Sequence, residues 1–220
     1  MKTGMWTQLW LDYRKVNKNY DSLKNVVITG FSKENPVIQN AVKELERGFR
    51  GLLGECLPEI IFQEDAKRLK GGEFSAGNFC LKEQDGIVTL SATDENGILY
   101  AAFHLLRLIA TEQELAGVQI TKIPDAPLRM YNHWDNMDGS IERGYSGNSF
   151  FFEKDEVIIN ERTVDYARFM ASIGINGVVI NNVNVKHAAT YLITERYLDK
   201  VARLSELFSS YGIKLFLSLN

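Results

Sequence analysis

The chain has 220 residues, 45% hydrophobic and 24% charged, a composition that buries enough apolar surface to offset its ordering entropy and so excludes intrinsic disorder. Its 25 Lys and Arg against 28 Asp and Glu leave a net charge of −3, which provides no general attraction to nucleic acid or to an anionic membrane. No stretch approaches the roughly 20 apolar residues of a membrane span. The N-terminus has no signal-peptide core before Asp12 and Arg14, which read literally places the chain in the cytoplasm.

In chain order, Val26-Val27-Ile28 is a β-branched run closed by Gly30 and predicts a short strand. Asn35-Pro36 supplies a helix cap with proline at the first helical position. Val37, Ile38, Ala41, Val42, Leu45, Phe49 and Leu52 then recur at helical spacing. Residues 59–62 predict a strand and 67–72 a polar loop. Strands at 78–83 and 87–91 flank Gln84-Asp85-Gly86, a hairpin signal because Asp-Gly tolerates positive φ. Thr93 or Asp94 caps the next helix, whose apolar face is Leu99, Ala102, Phe103, Leu106 and Ile109, widened by Leu105 and Leu108. That helix ends before Gly117, and 118–123 is a closing strand. Pro124 and Pro127 bracket Asp125-Ala126 and set a domain junction near residue 124.

The second half changes character. Residues 129–134 predict a strand, followed by a loop rich in Gly, Ser and Asn over 137–149. Asn160 caps a helix bearing Val164, Ala167, Phe169, Met170 and Ile173, with Gly174 at its C-terminal cap. Residues 177–180 form an apolar strand that breaks into Asn181-Asn182-Val183-Asn184. Thr194 caps a further helix carrying Leu198, Val201, Ala202, Leu204, Leu207 and Phe208, ended by Gly212, and 214–219 is a last strand. Strand, helix, strand, helix, strand with apolar centres is the pattern of parallel βαβ units. A (β/α)₈ barrel needs about 250 residues. The expected fold class is therefore α/β and α+β: an α+β domain over 1–123, then over 127–220 the first three units of a truncated TIM barrel.

The most informative stretch is 130–150. It mixes Tyr131, Trp134 and Tyr145 with Asn132, His133, Asp135, Asn136, Asp138, Glu142 and Arg143, and has glycines at 139, 144 and 147. Aromatic faces stack on a pyranose, Asn, Asp and Arg match hydroxyls and carboxylates, and glycine lets backbone approach a ligand. An ordered loop that satisfies its own backbone groups, with Trp134 in the core, is the competing reading.

Asn132-His133-Trp134-Asp135-Asn136-Met137-Asp138-Gly139-Ser140-Ile141-Glu142-Arg143-Gly144-Tyr145 closely resembles the segment that opens the catalytic barrel of family 67 glycoside hydrolases, the xylan α-glucuronidases. Leu9-Trp10-Leu11-Asp12-Tyr13 looks like the N-terminal start of that family. The run from Asn96 to Leu108 looks like the helix of its accessory domain, shared in style with hexosaminidases. Gly174 to Asn184 and Gly212 to Ser218 look like its second and third barrel strands.

The resemblance implies an inverting hydrolase that removes (4-O-methyl)-glucuronic acid from the xylose of glucuronoxylo-oligosaccharides in xylan degradation. Inversion needs an acid and a base roughly 6.5–9.5 Å apart. In the family these carboxylates come from later strands, so no catalytic residue is expected within the chain and it is expected to be inactive alone. The implied substrate contacts are Trp134, Asn132, Asp135, Glu142, Arg143, Asn181, Asn182 and Asn184. For Asp135, Asp138 and Glu142, hydrogen bonding within the loop is favoured over a direct acid–base role. A homodimer is the assembly considered for the parent enzyme. Two alternatives stay open: another accessory-plus-barrel glycosidase of hexosaminidase type, and a non-catalytic carbohydrate-binding fragment.

The remaining reactive side chains read as structural. His104 sits within a helix, His187 in a solvated loop, and His133 is placed to hydrogen-bond in the barrel mouth. Three scattered histidines make no metal site, and Gly51-x-x-Gly54 and Gly71-Gly72 make no phosphate cradle, so no cofactor is expected. Cys56 and Cys80 are read as two buried thiols, with a bridge between them as the alternative.

Overall fold

A computed structural model describes residues 11–54, 57–71, 76–141, 147–181 and 192–217. The chain is mixed α/β with open sheets and divides into two compact units, Met1–Pro127 and Leu128–Asn220. No helix among the described residues is long and apolar enough to cross a membrane.

The first unit runs β1 (Asn25–Thr29), α1 (Pro36–Leu52), β2 (Glu59–Gln63), β3 (Phe79–Gln84), β4 (Ile87–Ala92), α2 (Glu95–Ala110) and β5 (Gln119–Lys122). Its sheet has the order β2-β1-β4-β3-β5. β1 pairs in parallel with β2 and β4, and β3 pairs antiparallel with β4 and β5. Local chemistry explains the ends. Asn35 Oδ1 accepts from the backbone N–H groups of Val37 and Ile38, closing the first turn of α1. Asp94, not Thr93, caps α2: one carboxylate oxygen accepts from Gly97 N–H and the other from Gly77 N–H. Asp85 and Gly86 take φ of 56° and 83°, the left-handed pair of a two-residue hairpin turn.

α1 and α2 pack against each other at Gly48, where an added Cβ would lie 2.3 Å from Leu106 Cδ2. Side-chain absence at that one position lets the helices approach. The buried stripe of α1 also contains Glu44, 3% exposed, whose carboxylate accepts from the Tyr13 hydroxyl at 2.6 Å. Cys80 is a free, half-buried thiol on β3 rather than a buried one; Cys56 lies outside the described residues.

The second unit runs β6 (Met130–Trp134), β7 (Phe152–Glu153), β8 (Glu156–Val157), α3 (Glu161–Ser172), β9 (Gly177–Asn181), α4 (Glu195–Ser209) and β10 (Lys214–Leu217). β6, β9 and β10 form a three-stranded parallel sheet in chain order, with Met130, Gly177 and Lys214 in register. The sheet is open, and no closed barrel is evident among the described residues. α3 and α4 share one face of it, where Tyr166 meets Phe208 edge-on at 6.5 Å and Phe151 meets Phe208 at 6.1 Å.

Three expectations need correction here. The buried face of α4 is Tyr197, Leu204 and Phe208, while Leu198 is 48% exposed and Ala202 is exposed. The period is right and the face is rotated, because Tyr197 is pulled inward by donating its hydroxyl to Asp155 O at 2.7 Å. Thr194 occupies the cap position of α4 without a side-chain capping bond. Ile173 lies beyond α3 and is 51% exposed.

The β7–β8 hairpin carries no turn signal in the sequence. Its two-residue turn is Lys154-Asp155, both at left-handed φ without a glycine (51° and 61°). Tertiary bonds hold it there: Asp155 N–H donates to Met137 O, and Asp155 O accepts from Tyr197.

Candidate functional site

Side chains alternate across a strand, so β6 sorts its residues onto two faces. Tyr131 and His133 face α3, and both contact the ring of Tyr166. Met130, Asn132 and Trp134 face the other way. All three are exposed, Trp134 to 47%. Within this unit Trp134 is therefore exposed rather than packed in a core. Pairing between β6 and β9 sets Trp134 against Asn181 and Asn132 against Val179, at the C-terminal half of both strands. In parallel α/β sheets, ligands bind at that end.

Asp135, the first residue after β6, is fully buried. One carboxylate oxygen accepts from the backbone N–H groups of Phe150 and Phe151, both at 2.9 Å. The other accepts from Asn136 N–H at 3.2 Å. The carboxylate is thus spent inside the loop, with no open face toward a ligand. Asp138 is exposed, and one of its oxygens accepts from the backbone and hydroxyl of Ser140 at 2.9 and 2.6 Å. Asn136 donates its amide to Ser140 Oγ, and Ser149 Oγ accepts from Phe152 N–H. Gly139, at φ 91°, makes the turn that returns the chain, and its carbonyl accepts from Ser149 N–H.

His133 Nδ1 lies 2.9 Å from the Tyr166 hydroxyl, and Nε2 lies 3.6 Å from Asp135 Oδ2. Burial, followed by Tyr131 and Asp135, pushes the Tyr166 phenol well above its ordinary range, so it stays protonated and able to donate. Phe150 and Phe151 stack edge-on to His133 at 5.6 and 4.8 Å, and the Arg162 guanidinium lies over Phe150 at 4.2 Å.

Of the eight expected substrate contacts, the structure puts Trp134 and Asn132 on one face of β6, pairs Trp134 in backbone register with Asn181, and commits Asp135 to the loop. Glu142, Arg143, Asn182 and Asn184 lie outside the described residues, as does His187. Sequence reasoning missed Tyr166, which falls off the apolar face predicted for α3 and has its partner 33 residues away. No group of three or more metal-ligating side chains occurs among the described residues.

The fold recurs in solved structures of other proteins. A GH138 enzyme targeting pectin rhamnogalacturonan II superposes with a TM-score of 0.59 at 15% identity, over 88% of this chain and 24% of that one. A family GH115 4-O-methyl-alpha-glucuronidase superposes with a TM-score of 0.54 at 14% identity, over 90% of this chain and 29% of that one. These likenesses define the fold. In sequence, the family model for the "Glycosyl hydrolase family 67 middle domain" matches residues 108–220. Proteins described as "Probable alpha-glucuronidase A" match at 32% identity in Aspergillus terreus and 35% in Aspergillus fumigatus, each over 96% of this chain. A third, from Aspergillus clavatus, is 43% identical over 67% of it. The chain belongs to glycoside hydrolase family 67. It spans about a quarter of the length of these relatives, 27% in the first two and 17% in the third.

Proposed function

We propose that this chain is the opening portion of an α-glucuronidase that cleaves the α-1,2 link between (4-O-methyl)-glucuronic acid and xylose in glucuronoxylo-oligosaccharides, with inversion. Residues 1–123 act as an accessory domain, and 127–220 provide the first strands of a (β/α)₈ barrel. The observation that carries the reading is the exposed Trp134, paired in register with Asn181 and sharing a face with Asn132 at the C-terminal half of parallel strands, in a family 67 chain. Trp134 stacks on the uronic acid ring, and the two asparagines bond its hydroxyls. In the reaction a water attacks the anomeric carbon while a carboxylate takes its proton. A carboxylic acid protonates the departing xylose oxygen. Asp135 is occupied within the loop, and the resemblance to family 67 puts both groups on later segments.

The test compares residues 1–220 with a form extended through the remaining catalytic domain, on aldotetraouronic acid. The short form releases no uronic acid; the extended form releases it as the β-anomer, read by proton NMR. Trp134→Ala in the extended form costs about 1–3 kcal/mol of transition-state stabilisation. Turnover by the short form, or wild-type kinetics in the Trp134 variant with the fold intact, overturns this assignment.

A further inference from the structure

We propose that His133, Tyr166 and Asp135 form a clasp on the helix side of β6 that sets the orientation of Trp134 on its open side, making all three positioning residues for the sugar-facing surface. The inference rests on the reading of Trp134 as a substrate contact, and deepens it.

Trp134 lies in sequence between two residues that are both anchored on the far face. His133 reaches the Tyr166 hydroxyl at 2.9 Å, tying the last turn of the strand to α3. Asp135 draws the N–H groups of Phe150 and Phe151 onto one oxygen, tying the strand end to the returning loop. The Asp135 carboxylate, 3.6 Å from Nε2, favours the imidazole proton on that nitrogen. Nδ1 is then left to accept from the protonated Tyr166 hydroxyl. One carboxylate therefore fixes the loop and selects the tautomer that binds the helix. With both neighbours held, the Cα–Cβ direction of Trp134 is set by the strand, although its indole is 47% exposed and meets no comparable restraint from solvent.

Two readouts test this. The extended enzyme labelled with 5-fluorotryptophan gives a Trp134 resonance, identified by its loss in Trp134→Phe. In Tyr166→Phe, which deletes one oxygen, and in His133→Leu, that resonance shifts and splits or broadens. In His133→Asn, whose amide oxygen can still accept from Tyr166, it returns to a single line. In the extended enzyme, Tyr166→Phe and His133→Leu raise KM about tenfold with kcat within about twofold, and His133→Asn restores KM. An unshifted single line in both Tyr166→Phe and His133→Leu overturns the clasp. So does a wild-type KM in both while Trp134→Ala raises it. Should His133→Leu fail to fold, Tyr166→Phe and His133→Asn decide the matter. Should Trp134→Ala leave the kinetics untouched while the resonance responds as expected, the substrate assignment falls and the clasp stands.

Discussion

In residues 1–127 the sheet mixes parallel and antiparallel pairings, and two long helices pack together with Ile38, Leu45, Leu99, Leu105 and Leu106 fully buried. In residues 128–220 three parallel strands are covered on one face by α3 and α4. The other face presents Leu128, Met130 and Trp134, each more than 40% exposed. The first unit spends its apolar residues on its own core. The second places some of its largest ones where something else must meet them. Exposed aromatic and aliphatic side chains on one sheet face mark a binding surface or an unfinished core, whereas scattered ones carry no such message. Under the proposed function both meanings apply along one strand. Leu128 and Met130 converge with Phe216 over Gly177 at its start, and Trp134 stands beside Asn181 at its end.

The sharpest way to break this comparison is limited proteolysis of the whole chain. A resistant N-terminal core ending near residues 124–127 is expected, with the second unit digested or self-associated, because open parallel strands leave backbone edges unpaired. Uniform protection of both halves in a monomer would show that the second unit closes its sheet in another way.

Next in size is Asp135→Ala. Three buried backbone N–H groups lose their acceptor, and the second unit should lose about 3 kcal/mol, read by denaturant unfolding of the full chain. A loss below about 1 kcal/mol would mean that the loop has a second anchor. Asp94→Ala is the counterpart in the first unit and is expected to cost about 1 kcal/mol, since it removes a helix cap that accepts from Gly97 N–H at the part-buried start of α2. An effect as large as that of Asp135→Ala would contradict the view that the first unit is held by its core rather than by single polar anchors.

The smallest effect concerns His104 on α2. Burial, then Lys122 and Arg107, hold its imidazole below the ordinary value of 6.5. The unfolded chain therefore binds the proton first, so stability is full above about pH 6.5 and declines as the pH falls through the folded value. The thermal midpoint of the first unit should fall slightly from pH 7.5 to pH 5, and His104→Phe should reduce that slope. A slope unchanged by the substitution would assign it to the carboxylates instead.

Much of the first unit was legible in the sequence because its signals are local. Asn35-Pro36 caps and starts a helix within four residues, and Asp85-Gly86 supplies the two left-handed positions that a tight hairpin requires. The α1 stripe follows from periodicity, and the parallel strands of the second unit from apolar runs alternating with capped helices. The long motif from Asn132 to Tyr145 pointed to the family to which the chain belongs. What it could not provide was the division of labour within that region.

Asp135 and Trp134 are neighbours in the motif and equally plausible as sugar contacts, yet one is fully buried and the other is half-exposed. Backbone groups 15 and 16 residues away decide that, by claiming the carboxylate. The rotated face of α4 and the glycine-free turn at Lys154-Asp155 have the same origin in Tyr197, whose hydroxyl reaches 42 residues back. Caps, turns and periods are properties of short segments, so the sequence determines them by itself. A buried polar group must find a partner wherever the fold supplies one, and only the tertiary structure decides which residue that is.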